Sequence, residues 1–342
     1  MRRKPILPAF LLLLCCSLQT LAQEEKPDHD TTYYISLADQ MLTRFYFSRK
    51  YTNLELGAPK GEDRLIYRPN TTLNMGVGAT YRSLTLNLAY GFPFLNRNEE
   101  KGKTRYLDLQ SHIYTRKWSY DFWGQFYKGY YMKRSAIDGG SGYYLRPDMG
   151  VTLLGVSAYN IVGHERFSYR AAFVQNERQL KSAGSWLLGA EIYYGRATAD
   201  SALVPGAVKD RFSQREVERV RFLDIGPGGG YAYNWVIRND FFLGMAATIN
   251  LNIGFVREIT PADSRERLGF SPNFIYRATG GYNSERWMAS LSLVGNRVSA
   301  RGSSSSYNYI FSTGNYRATL AYRFKPGRRL KKYLAPVDKL LN

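Results

Sequence analysis

The stretch Asp240–Val256 reads DFFLGMAATINLNIGFV, and it alternates without a break. Leu243, Met245, Ala247, Ile249, Leu251, Ile253 and Phe255 fall between Phe242, Gly244, Ala246, Thr248, Asn250, Asn252 and Gly254. Side chains of a strand point to opposite faces in turn, so a period of two assigns one face to an apolar medium and the other to a wet or tightly packed one. The same device recurs. Leu84, Leu86, Leu88, Tyr90 and Phe92 alternate with small or polar residues, as do Leu107, Leu109 and Ile113, then Trp118, Tyr120, Phe122 and Phe126, and finally Tyr316, Ala318, Leu320, Tyr322 and Phe324. Sandwich strands usually span about five or six residues. These runs reach roughly nine or more, the length a tilted strand needs to cross a bilayer.

The first residues give an address. Arg2, Arg3 and Lys4 precede an apolar run from Ile6 to Cys16, and Thr20-Leu21-Ala22 supplies a small-residue exit, so residues 1–22 read as a secretory signal peptide. Both cysteines, Cys15 and Cys16, fall within it, which leaves the exported chain no disulfide and no thiolate metal site. Beyond it no run approaches the roughly 18 apolar residues of a membrane helix, so a span must be made by strands. The expected location is the outer membrane of a Gram-negative bacterium. Tyr 28, Phe 18 and Trp 5 amount to 15% aromatics. Many stand near the ends of the alternating runs, at Tyr81, Phe92, Tyr114, Trp118, Trp186, Tyr194, Trp235 and Trp287, as in an interfacial girdle. The net charge of +19 is spread along the chain rather than clustered, which with export argues against nucleic acid and for lipopolysaccharide phosphates or an anion-preferring lumen.

Residues 23–41 form a polar leader, 42–324 the expected barrel and 325–342 a basic amphipathic helical tail. Thirteen strand candidates can be drawn, among them Leu65 to Thr80 and Phe167 to Asn176, with short turns alternating with long polar loops, including Met132 to Pro147 and Arg257 to Pro272. An odd number cannot return both termini to one side. The expectation is therefore all-β: a single antiparallel up-and-down transmembrane barrel of about twelve strands, with fourteen as the alternative. Tyr322-Arg323-Phe324 ends the last strand with the aromatic that barrel-assembly machinery reads. In the tail, Leu330, Tyr333, Leu334 and Val337 keep helical spacing beside Arg328, Arg329, Lys331 and Lys332, and Pro336 is expected to interrupt it.

Four segments occur in order: RPNTTLNMGVGATYRSLTLNLAYGFPFLN from Arg68, KGKTRYLDLQSHIYTRKWSYDFWGQFYKGYY from Lys101, GYYLRPDMG from Gly142 and LDIGPGGGYAYNWVI from Leu223. Together the chain, from roughly Thr31 to Leu334, resembles the Bacteroidota family called domain of unknown function 4421. The resemblance implies an exported, barrel-like outer-membrane protein and brings no activity, substrate or catalytic residue.

Chemistry is sparse. Barrel lipid hydrolases often carry His-x-Ser on one strand, which puts base and nucleophile on one face. His29, His112 and His164 are each followed by other residues. His112 with Asp108 is the one acid/base pair worth weighing. Three dispersed histidines make no metal site, and no cofactor is implied. Gly226-Pro227-Gly228-Gly229-Gly230 lacks the Lys-Ser/Thr of a phosphate loop and reads as a bend or bulge in the wall. What remains is the inward face, where Asp108, Gln110, His112, Asp121, Gln125, Asn250, Asn252, Arg317 and Arg323 are expected to line a lumen. The leading expectation is a small-solute channel or a structural, interaction barrel among outer-membrane lipid and lipopolysaccharide. The alternatives are a lipid- or lipopolysaccharide-modifying barrel enzyme and a soluble periplasmic β-protein.

Overall fold

The computed structural model describes residues 28–58, 64–82, 84–95, 99–302 and 308–341. The signal-peptide segment, 1–22, and the start of the leader lie outside them. In chain order the elements are β1 (Tyr34–Ser36), β2 (Met41–Leu56), β3 (Leu65–Tyr67), β4 (Asn74–Tyr81), β5 (Leu84–Tyr90), β6 (Arg105–Tyr114), β7 (Trp118–Lys133), β8 (Tyr143–Ile161), α1 (Tyr169–Phe173), β9 (Glu177–Gln179), β10 (Ala183–Thr198), β11 (Arg219–Ile237), β12 (Phe241–Ile259), β13 (Ser264–Asn283), β14 (Trp287–Arg301), β15 (Asn308–Phe324) and α2 (Arg328–Leu341). Twelve strands form one antiparallel sheet in the order β5-β4-β2-β15-β14-β13-β12-β11-β10-β8-β7-β6, with β3 added to the far end of β2 and β1 paired separately with β9. The sheet curls until the first and last long strands meet, Met41 opposite Phe324 and Leu56 opposite Tyr309.

Two of the thirteen strand candidates change. Phe167 to Asn176 is no barrel strand: Ser168 caps α1 by accepting from the Ala171 N–H, and the short helix folds under the barrel. Removing it gives the even count. Leu65 to Thr80 splits into β3 and β4, because Pro69 has no N–H to continue a ladder. The expected loop from Arg257 to Pro272 is instead a strand extension, since β12 and β13 stay paired to Ile259 and Ser264. Its charged residues rise above the apolar belt, where hydrophobic period carries no signal. The loop expected from Met132 to Pro147 shrinks likewise, as β7 and β8 pair from Lys133 opposite Tyr143. At the other terminus α2 runs through Pro336 as one helix rather than stopping there.

The medium of β12 can now be stated. From Phe241 to Val256 its residues are exposed and buried in strict turn, with the oily set outside. The outward faces of the other strands match, and Trp118, Trp186, Trp235 and Trp287 stand exposed near the tight-turn end. Tyr81 and Tyr114 do not join them, Tyr81 being buried and Tyr114 turned inward to meet Arg277. Inside, aromatic rings lie over glycines on neighbouring strands: a Cβ at Gly155 would come 2.1 Å from Tyr193 Cδ1, and one at Gly195 would come 1.9 Å from Phe222 Cε1. The run Gly226 to Gly230 is no bulge, because its register with β12 is the same on both sides. It makes room instead, since a Cβ at Gly228 would sit 1.6 Å from Asn250 Oδ1.

The interior fills in three layers. At the long-loop end, Leu54, Tyr67, Val151, Phe222 and Phe311 pack with Leu203, Val208 and Phe212 from the β10–β11 connection. Near the turn end, Phe167 and Tyr169 pack against Ile161, Leu187 and Ile275. Between them lies a polar layer.

Candidate functional site

The nine polar residues expected in the lumen all lie on the inward face, but they divide into separate groups. Asp108 accepts from Tyr127 OH at 2.5 Å, from Lys50 Nζ at 3.1 Å and from Gln110 and Gln125 at 3.3 and 3.4 Å. His112 does not pair with Asp108. Its Nδ1 lies 2.7 Å from Asp121 Oδ1, on the strand opposite, and Asp121 is also bound by Arg277 and, at 3.3 Å, by Ser157 Oγ. The reason is register: β6 pairs with β7 so that His112 stands directly across from Asp121, whereas Asp108 stands four residues away along its own strand. Asn250 accepts from Tyr159 OH at 2.7 Å, and Asn252 donates to Glu191 at 2.9 Å, where Asn273 joins it at 2.9 Å. Arg317 spreads its guanidinium over the Tyr46 ring, 4.5 Å from the centroid. Arg323 is a clamp, donating to Ser284 O at 2.6 Å, Gln175 O at 2.7 Å and Asn283 Oδ1 at 2.5 Å, and so ties the segment after α1 to the wall.

Sequence reading missed Glu191, Asp224 and Arg277, each buried on the inward face. The signal was present. Glu191 alternates with Ala190 and Ile192, Asp224 with Leu223 and Ile225, and Arg277 with Tyr276 and Ala278, so the pleat that placed Asn250 also places them. Asp121, Gln125, Asp224, Asn250, Asn252, Asn273 and Thr313 have no exposed surface. These seven side chains are packed, whereas Lys50 and His112 in the same layer stay partly exposed.

The wall carries one discontinuity. β5 and β6 are consecutive in sequence, yet among the described residues no ladder joins them. Around this gap the chain is tied. At the loop end Arg68 and Tyr131 exchange backbone hydrogen bonds at 2.8 and 2.9 Å, and Asn70 N donates to Thr104 Oγ1 at 2.8 Å. Gly129, with φ of +91° and Lys103 O where a Cβ would go, makes the bulge that bends β7 toward this bridge. At the turn end Asn176 Nδ2 donates to Arg82 O beside β5 at 3.1 Å, and Glu177 lies 3.6 Å from Arg116 beside β6. The result is a window in the barrel side, framed above and below. Asn87 and Ala89 face inward on β5 and yet are exposed, unlike their counterparts on the complete part of the wall.

No group of three or more potential metal-ligating side chains gathers among the described residues. A family model described as domain of unknown function (DUF4421) matches residues 28–324. Among curated proteins none matches the chain. Solved structures similar to it include the outer membrane protease OmpT of Escherichia coli (10% identity, 85% of this chain and 98% of that one, TM-score 0.37). They also include OmpT, an outer membrane protein of Vibrio cholerae (9%, 83% and 98%, 0.28), and the Pseudomonas putida toluene transporter TodX (7%, 83% and 89%, 0.25). At such scores no neighbour's activity transfers, and the barrel rests on the chain's own strand ladders.

Proposed function

Because the chain belongs to the family described as domain of unknown function (DUF4421), a description that assigns no activity, we propose from its geometry an outer-membrane β-barrel that is closed along its axis and acts as a structural or interaction barrel. The carrying observation is the interior: a polar layer in which Asp121, Gln125, Asp224, Asn250, Asn252 and Asn273 have no exposed surface lies between an apolar core at one end and the α1 segment at the other. A small-solute channel through the axis would need that network broken. The belt supports the membrane. On β12 the apolar outward face runs from Leu243 to Phe255, which at roughly 3.3 Å per residue and a tilt of about 40° covers about 30 Å, the thickness of a hydrocarbon core. In this reading the tight turns and α1 are periplasmic, the long loops lie outside, residues 1–22 direct export, and barrel-assembly machinery, lipid and lipopolysaccharide are the partners.

The test has two arms. The chain should fractionate with outer membranes and shift its gel mobility on heating; recovery in the soluble periplasm would remove the membrane reading. Purified protein in planar bilayers should carry no steady current, and regular conductance steps would restore the axial channel.

One observation favours a second reading, a lipid-modifying enzyme. Asp121 on Nδ1 fixes His112 in the tautomer whose Nε2 is free to accept a proton, as a base requires. The imidazole also packs against the rings of Tyr114 and Trp123, and the Tyr114 hydroxyl, the nucleophile type nearest to hand, is taken up by Arg277. Loss of a measured lipid-modifying activity in His112→Ala would carry this reading past the first.

A further inference from the structure

We infer that the window between β5 and β6 admits the head of an anionic amphiphile, a phosphate or carboxylate on an acyl chain, and that Arg44 and Arg317 bind it from inside. The inference deepens the outer-membrane reading and rests on it. Three observations converge. The facing edges of β5 and β6 present backbone N–H and C=O groups with no ladder partner across the gap. In hydrocarbon such groups stay unsatisfied, so acyl chains alone cannot fill the opening, whereas a polar head with its water can.

Just inside stand the two arginines. On the paired strands β2 and β15, Arg44 lies opposite Ala321, Tyr46 opposite Thr319 and Ser48 opposite Arg317, which brackets Tyr46 between two guanidinium groups. Arg44 bonds Thr80 Oγ1, which is linked at 2.7 Å to Thr85 on β5, while Arg317 rests on the Tyr46 ring. Among the described residues neither meets a carboxylate, and each keeps a buried Nε without an acceptor. Arg277 is held by Asp121 and Lys50 by Asp108, and Arg323, which meets no carboxylate either, spends its N–H groups on Ser284 O, Gln175 O and Asn283 Oδ1. Two uncompensated guanidinium groups suit an anion with several acceptor oxygens.

Outside, an apolar groove of about 560 Å³ runs beside the same edge, lined by Phe45, Val77, Leu86, Leu88 and Leu320, with Arg44 as its one charged lining residue. An acyl chain in that groove with its head turned through the window would satisfy both surfaces.

The experiment uses purified full chain in uncharged detergent, with three probes: a spin-labelled long-chain alkyl phosphate, an uncharged alkyl maltoside of equal chain length, and inorganic phosphate. The alkyl phosphate should bind, the maltoside should not compete, and Arg44→Gln with Arg317→Gln should weaken binding at least about tenfold while heat-modifiable mobility is kept. Ala89→Trp, which fills the inner mouth of the window, should weaken alkyl phosphate binding and leave inorganic phosphate untouched. Equal binding of alkyl phosphate and maltoside, or unchanged binding in the double variant, overturns the anion site. Inorganic phosphate binding as tightly as the alkyl phosphate, or Ala89→Trp binding like the parent, overturns the amphiphile and its side entry. Solubility of the chain in cells would defeat the outer-membrane reading by itself, and the arginine arm would still report on the anion site.

Discussion

Asp121 is the residue whose loss should cost most. It has no exposed surface and holds Arg277, His112 and Ser157 at once, across strands β6, β7, β8 and β13. Removing one partner of a buried ion pair strands the other charge and typically costs about 3–5 kcal/mol. Asp121→Asn should therefore lower the midpoint of urea unfolding in detergent sharply, and Asp121→Leu with Arg277→Met should recover much of the loss. An unchanged midpoint in the single variant would show that water reaches Arg277. At this scale the sequence spoke clearly about direction and poorly about partners. The pleat sent Asp121 and His112 inward, but which carboxylate His112 would meet depended on a register between β6 and β7 that no single strand encodes.

Among elements, α1 and its flanks show where sequence reading fails. Phe167, Tyr169, Ala171 and Phe173 alternate as a strand would, yet a run this short fits either state, and the Ser168 cap decides it. The twelve-strand count was legible all the same, because the alternation of short turns and long loops broke at this one place. The segment is fastened by Arg323 through Gln175 O and by β1 pairing with β9. Arg323→Ala should leave the barrel ladders intact while amide exchange rises selectively over residues 162–182, read by mass spectrometry. Uniform protection in the variant would show that the β1–β9 pair suffices. The loops were misread for a different reason. Above the belt, Arg257, Glu258, Arg265 and Glu266 alternate in charge rather than in oiliness, so the strand continues where its hydrophobic signature stops.

For the whole molecule, the oily exterior of β12 sets what exposure to a water-filled periplasm would cost. Seven outward apolar positions between Leu243 and Phe255, at roughly 1–2 kcal/mol each for leaving water, amount to about as much as a typical domain's net stability. The gap between β5 and β6 was invisible in sequence, since both strands carry good alternation and lie next to each other. Hydrogen exchange should expose it. In detergent, amides along the free edges of β5 and β6 should exchange in minutes and those shared by β2 and β15 far more slowly. Equal protection on all four strands would mean the wall is complete.

The same gap has a kinetic meaning. Closing β2 on β15 joins residues more than 250 positions apart, while β5 and β6 are separated only by residues 91–104. By loop-closure entropy the neighbouring pair is favoured by about 2.5 kcal/mol, yet it is the distant pair that has zipped. Chain distance therefore does not hold β5 and β6 apart, and the gap that remains is bridged at its two ends rather than along the strands. Zipping them would be a hairpin event, of the kind that takes roughly 1–10 μs in isolation, and would leave every other register in the barrel as it stands.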